Sequence, residues 1–284
     1  MNLSVSHYSD IKEIPEEVDN YLYQKPAINF EAIGILEGLR ENATAFKGIL
    51  ECVVIYKENK IQVITCRIKP FNLLISHSKS KDSIVSLVEH YLKSNISIPG
   101  IYGPLEEVIQ FTEYWEEFSK EDFQTSDEFY QYSLNKVKLT SQLIGDISIA
   151  KEKHKEILVK WTKDSIRDTI PDTTDEFVES CTNSFLKLLS NNKVFVLEIE
   201  NELVSMAAIS SQTTKMKAII DVYTPPKHRG KGYATELCLF LSEYIVNDCS
   251  ATPILWVKAT NLVAIHIYEK IGFEKVAKMA LCLK

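Results

Sequence analysis

Apolar positions change their period several times along the chain, and each change marks the edge of an element. Helical spacing around Pro15 to Tyr23, and again from Phe30 to Arg40, gives way at Leu50 to the segment LECVVIYKENKIQVITCRIKPFNLLIS. That segment predicts two strands about a turn at Glu58-Asn59, then a third strand interrupted at Pro70. Asp82 predicts the cap of an amphipathic helix reaching about Leu92. The stretch IPGIYGP, Ile98 to Pro104, reads as turn-rich, a helical period resumes from Leu105 to Phe118, and a strand is expected near Phe129 to Val137.

The pattern then starts again. Asp146 to Ala150 predicts a short strand and is followed by a helix to about Asp168 carrying Ile157, Leu158 and Trp161. A second helix is expected from Pro171, with Thr173 and Glu176 at the spacing of a capping box and Phe177, Cys181, Phe185 and Leu188 on its apolar face. KVFVLEI and LVSMAAIS, separated by Glu200-Asn201-Glu202, and a third run from Lys217 to Tyr223 predict three sequential antiparallel strands. The weak, polar stretch Lys138 to Gly145 is the linker candidate, which divides the chain into residues 1–137, a linker at 138–145, and residues 146–284.

Composition narrows the class. The chain has 284 residues, is 45% hydrophobic, and carries 32 Lys+Arg against 39 Asp+Glu for a formal charge of −7. That profile is globular, and neither the net charge nor any local run attracts a nucleic acid backbone or an anionic membrane. No apolar stretch approaches the roughly 18 residues of a spanning helix, and the N-terminus lacks a basic start with an apolar core, so a cytoplasmic address is expected. An acidic concentration from Glu106 to Asp127 is either a solvated helix face or an attractor for a cationic substrate.

Six scattered cysteines show neither Cys-x-x-Cys nor compact Cys/His spacing, so they read as small core residues, and no metal is expected. The Asn-x-Ser/Thr triplets at Asn2, Asn42 and Asn95 are read as chance matches.

Chemistry becomes legible in TPPKHRGKGYATEL, between a strand ending near Thr224 and a helix from about Tyr233 to Val246. Of only nine glycines in the chain, Gly230 and Gly232 fall here. A strand-to-helix turn presents backbone N–H groups at the positive end of the helix, and the two glycines keep side chains out of the way of a phosphate. Arg229 and Lys231 add positive charge. The spacing is wrong for a P-loop, since no Gly-Lys-Ser/Thr follows. His228 is expected to face solvent or phosphate.

On Arg229, Gly232 and Ala234, which match Gln/Arg-x-x-Gly-x-Gly/Ala, and on the longer run VYTPPKHRGKGYA, the sequence resembles the GNAT superfamily of acyl-CoA-dependent N-acyltransferases. The resemblance implies an α/β (α+β) fold: a mixed, mostly antiparallel twisted sheet flanked by helices. It implies that backbone amides of Arg229, Gly230, Lys231, Gly232, Tyr233, Ala234 and Thr235 bind the CoA pyrophosphate. Main-chain groups of Val222, Tyr223 and Thr224 would pair with the pantetheine arm as an added strand. Downstream, PILWVKA precedes TNLVAIHIYEKIGFEKV, in which Asn261 starts a helix, Gly272 ends it, and Ala264, Ile267, Tyr268 and Ile271 share a face. In this family Asn261 would bond the pantetheine and Tyr268 would lie near the thioester sulfur.

The implied reaction is transfer of an acetyl group from acetyl-CoA to a primary amine of a small molecule or peptide, by direct attack in a ternary complex. Tyr268 is the candidate acid for the leaving thiolate, the alternative being a core tyrosine. Asp221 is the first candidate base and Glu198 the second, the alternative for either being an exposed structural role. Strand alternation sets Asp221 and Tyr223 on one face and Val222 on the other. The other reading is a catalytically lapsed acyl-CoA-binding module. Trp161, Asp168 and Asp172 are candidate acceptor-lining residues by location, and the protein is expected as a monomer or dimer.

The resemblance is specific from Asp146 to Phe273. The first half repeats the GNAT order of elements, but its connection NLLISHSKSKDSIV has no glycine and no signature, which suggests a degenerate second copy that does not cradle CoA. Only FEKVAKMALCLK follows Gly272, too short for the expected pair of closing strands, so the strand from Phe129 to Val137 is expected to complete the C-terminal sheet.

Overall fold

The computed structural model describes residues 3–94, 96–141, 145–210 and 213–284. The glycosylation triplets at Asn2 and Asn95 begin outside the described residues, as does the 142–144 part of the linker candidate.

In the N-terminal half, β1 (Leu3–Tyr8) is followed by α1 (Glu16–Leu22), α2 (Phe30–Glu41), β2 (Leu50–Lys57), β3 (Lys60–Ile68), β4 (Leu73–Ile75), α3 (Lys81–Lys93), β5 (Gly100–Pro104), α4 (Leu105–Ser119) and β6 (Gln124–Ser133). The C-terminal half repeats the order with β7 (Asp146–Ile149), α5 (Lys155–Thr169), α6 (Asp175–Ser190), β8 (Val194–Ile199), β9 (Glu202–Ser210), β10 (Met216–Tyr223), α7 (Tyr233–Asn247), β11 (Thr252–Lys258), α8 (Leu262–Ile271) and β12 (Glu274–Leu283). Both halves use the same local device at the same place. Glu58 and Asn59, and again Glu200 and Asn201, have φ between 50 and 65°, the left-handed pair that closes a two-residue hairpin with the right strand twist.

All twelve strands form one sheet in the order β1-β2-β3-β4-β5-β12-β6-β11-β10-β9-β8-β7. Among the described residues, only β4–β5 and β10–β11 pair in parallel. The order is symmetric under exchange of halves except that the closing strands cross over. β6 leaves the N-terminal half to pair with β11 from Lys258–Phe129 to Ile254–Ser133, and β12 leaves the C-terminal half to pair with β5 from Leu283–Gly100 to Met279–Pro104. The two crossing strands pair with each other at the centre.

Helices cover both faces, which is why β2 and β3 are buried along almost their whole length rather than at alternating positions. α1 and α2 pack on one face over Cys52, Val54, Cys66 and Ile68, and reach across to Met216, Ala218 and Ile254 of the other half. α3 and α4 cover the opposite face, where Ala280 and Cys282 of β12 join the N-terminal core. Reciprocally, Tyr132 of β6 is fully buried in the C-terminal core under α7 and α8, and its hydroxyl donates to Glu269 Oε1 of α8 at 2.9 Å. No helix among the described residues is long and apolar enough to cross a membrane.

Several boundaries differ from the sequence expectation. IPGIYGP is not a turn but contains β5, a central strand whose two glycines allow close backbone approach. The α3 N-cap is Ser80, with Asp82 inside the first turn. Thr174, not Thr173, caps α6 by accepting from Phe177 N–H at 3.2 Å, so the helix starts at Asp175 rather than near Pro171. The crossing strand β6 begins five residues before Phe129, among acidic and polar residues that mask its strand period. β1 carries no strong signal, because it is a partly exposed edge strand.

Candidate functional site: a cleft between β10 and β11

The parallel pair β10–β11 is joined at only three positions, ending at Ala218–Ile254. Beyond that point β10 runs on to Tyr223 against β9 and β11 to Lys258 against β6, so the facing edges of the two strands diverge unpaired. Asp221 helps to produce the divergence. It has φ 52°, and the β9–β10 register shifts between Ile220 and Tyr223. Such a bulge bends its strand and breaks the alternation of side chains. The sequence expectation that Asp221 and Tyr223 share a face by simple alternation is therefore replaced by a bulge: Tyr223 is buried against α5 beside Trp161, Val222 packs toward α7 and α8, and Asp221 stands out exposed.

The turn after β10 lies at the open end of this cleft. Pro226 to His228 form a single 3-10 turn, Gly230 has φ 78°, and Gly232, the N-cap of α7, has φ 83°. A β-carbon on Gly230 would meet nothing within 4 Å. The first helical bond of α7 is Glu236 N–H to the Gly232 carbonyl at 3.0 Å, which leaves the N–H groups of Tyr233, Ala234 and Thr235 outside the ladder at the positive end of a 15-residue helix. Open space, left-handed glycines and unladdered amides fit a diphosphate.

Arg229 folds back over the Tyr223 ring, donates Nε to the Thr224 carbonyl at 2.9 Å, and pairs with Asp168 of α5 at 2.8 Å. Asp168 thus belongs to the cradle's rim, a link across 61 residues of sequence that no local pattern reveals. Thr224 Oγ1 lies 2.9 Å from Ser205 Oγ. His228 does not face solvent or phosphate as expected. It is buried, with Nε2 3.3 Å from Glu202 Oε1 and its ring against Tyr233, so it braces the turn from beneath.

On the far wall, Asn261 caps α8, its Oδ1 accepting from Ala264 N–H at 3.1 Å. Tyr268 lies on the inner face of α8 among Phe273, Cys238 and Ile271, and burial raises its phenol well above its usual value, which keeps it protonated. Asp221 is exposed as a residue, yet the protein around its carboxyl, with Cys181 of α6 within electrostatic reach, desolvates it and pushes it up to about 6. Glu198 is on β8, with β9 between it and β10. Trp161 is a core residue rather than a lining one, and Asp172 is exposed.

The equivalent place in the N-terminal half is closed. β4 and β5 approach so tightly that a β-carbon on Gly103 would lie 2.4 Å from the Ile75 carbonyl oxygen. The following turn is filled by its own polar groups: Ser78 N–H donates to the Glu107 carboxylate at 2.8 Å, and Ser83 Oγ donates to the Ser80 carbonyl at 2.6 Å. A side-chain carboxylate thus takes an amide that an anion would need.

A strongly twisted sheet with one parallel pair splayed over a glycine turn is the architecture of GNAT proteins, here in tandem form. Residues 155–273 match the sequence model of the family described as Acetyltransferase (GNAT) family, so the C-terminal half is a GNAT-family domain. Among solved structures, a Drosophila protein matches with a TM-score of 0.68 at 14% identity, covering 99% of this chain and 98% of that one. An acetyltransferase of the GNAT family from Colwellia psychrerythraea matches at 0.62 and 11%, covering 99% and 100%. A tandem GNAT protein from the clavulanic acid biosynthesis pathway matches at 0.54 and 10%, covering 100% and 98%. At these identities the likeness is one of fold. No curated protein matches the chain in sequence.

Proposed function

We propose that the C-terminal half transfers an acetyl group from acetyl-CoA to a primary amine by direct attack in a ternary complex. The observation that carries this reading is the divergence of β10 from β11 immediately beside the glycine turn, which offers a free strand edge and an anion cradle in one continuous path. The cradle amides from Arg229 to Thr235 hold the diphosphate, and Val222, Tyr223 and Thr224 offer main-chain groups to an extended amide-bearing arm. Asn261 flanks the same path at the start of α8.

Acetyl-CoA supplies a thioester whose carbonyl carbon accepts the amine nitrogen while the C–S bond breaks. Asp221 takes the proton that the attacking amine loses. A carboxyl near 6 is largely ionised at neutral pH while remaining a stronger base than an ordinary aspartate. Tyr268, kept protonated by burial, hydrogen-bonds to the departing thiolate and passes it a proton that is replaced by the one Asp221 took from the amine. Burial makes the phenol a weaker acid, so transfer is concerted with C–S cleavage.

Calorimetric titration with acetyl-CoA, CoA and NAD tests the reading. Micromolar binding of both CoA species, absent for NAD and absent in Gly232→Trp, is the expected result. Tyr268→Phe should then bind acetyl-CoA normally and lose most of kcat against a responsive amine. Normal CoA binding with no turnover of any amine would instead favour a lapsed binding module, and no CoA binding would remove both.

A further inference from the structure

A cavity of about 660 Å³ opens on the sheet face that carries α1 and α2, at the point where the halves exchange strands. Its floor takes one side chain from each of five adjacent strands: Leu74 of β4, Tyr102 of β5, Leu281 of β12, Phe129 of β6 and Trp256 of β11. Glu31 of α2 forms a wall, and the partly exposed rings of Phe46 and Phe71 form the rim. The volume falls within the about 300–1,000 Å³ of small-molecule sites.

Among the described residues, one charged side chain of the lining has no ion-pair partner. Arg67 also borders the cavity, but its Nε donates to the buried Glu51 carboxylate at 2.9 Å, which Lys69 Nζ also meets at 2.5 Å, and its Nη2 donates to the Ser97 carbonyl at 2.9 Å, so its guanidinium is held inside the wall. Glu31 has no ion pair and no side-chain hydrogen bond to another residue among the described ones. Burial pushes its carboxyl up to about 7, the mark of an acid lacking a counter-ion. Aromatic rings attract cations through their negative faces, and a carboxylate beside them supplies the neutralising charge.

We propose that this cavity is a binding site for a small organic ammonium ion with an aromatic or aliphatic body, the nitrogen paired with Glu31 and the body lodged among Tyr102, Phe129 and Trp256. None of the cradle residues lines it, and it meets the acyl-transfer cleft only through Trp256, on the stretch of β11 that borders both. The nitrogen it holds is protonated and therefore not a nucleophile.

The test is calorimetry on the full chain with three probes of one shape: phenethylamine, 2-phenylethanol and phenylacetate. Phenethylamine should bind in one-to-one stoichiometry, about tenfold or more tighter than the alcohol, with phenylacetate weakest. Glu31→Gln should abolish the preference for the amine and leave the alcohol unchanged. Phe71→Ala, at an exposed rim position that does not threaten folding, should weaken all binding that the wild type shows. Saturating CoA should leave the amine affinity unchanged. Equal binding of amine and alcohol to the wild type, a preference retained in Glu31→Gln, displacement of the amine by CoA, or no binding of any probe at millimolar concentration would each overturn the proposal.

Discussion

Two carboxyl groups, Asp221 and Glu31, are lifted by desolvation, to about 6 and about 7, and neither has a salt bridge to hold it down. For each, the folded state binds its proton more tightly than the unfolded chain. Glu31 therefore contributes stability that is fully present below its unfolded value near 4.5, declines as pH rises, and is lost above about 7. Replacing it by Gln removes the burden of ionisation. Glu31→Gln should match the wild type near pH 4 and exceed it at pH 8 by up to about 3 kcal/mol, read from denaturant unfolding at the two pH values. An equal difference at both pH values would show that folding leaves the carboxyl's proton affinity unchanged.

The two parallel pairs are the same element in opposite states. β10 and β11 part after Ala218–Ile254, while β4 and β5 stay in backbone contact at Gly103. Packing there has no slack, because the atom in the way of a side chain is a carbonyl oxygen rather than a flexible side chain. Gly103→Ala should cost about 1–3 kcal/mol in thermal or denaturant unfolding. Parting the pair elsewhere at no cost would mean that the closure is not tightly held.

This contrast also explains what the sequence could convey about the site. The glycine turn was legible because it needs Gly230 and Gly232 at two left-handed positions one residue apart, and the Asn261 cap because it is local. The bulge at Asp221, the Arg229–Asp168 pair and the burial of His228 depend on neighbours distant in the chain, and no spacing encodes them. Glu31 read as an ordinary first-turn helix acid for the same reason. Its surroundings are assembled from strands up to 250 residues away.

At the scale of the whole molecule, the repeated order of elements was visible in the sequence, and so was the shortage of chain after Gly272. What could not be read was the reciprocity. The sequence implied that β6 would serve the C-terminal sheet, but that β12 would serve the N-terminal one depends on two strands finding partners in opposite directions, β6 about 125 residues downstream and β12 about 180 residues upstream. Residues 145–284 alone would leave the β11 edge unpaired over the five positions from Ile254 to Lys258 and would remove Tyr132 from the core. At about 1–3 kcal/mol for each buried backbone group left unpaired, the loss rivals a typical total stability of about 5–15 kcal/mol. That fragment should be insoluble or lack a cooperative thermal transition, whereas adding residues 120–141 at its N-terminus should restore one. A cooperative transition in the shorter fragment would show that β6 is dispensable.

The crossing of β6 and β12 makes each half's sheet depend on a strand from the other half. Here the N-terminal copy has no glycine cradle and a closed β4–β5 pair, yet it still provides the strand on which the other copy's β11 rests. Whatever binds elsewhere, that half is tied in place by the strand it lends.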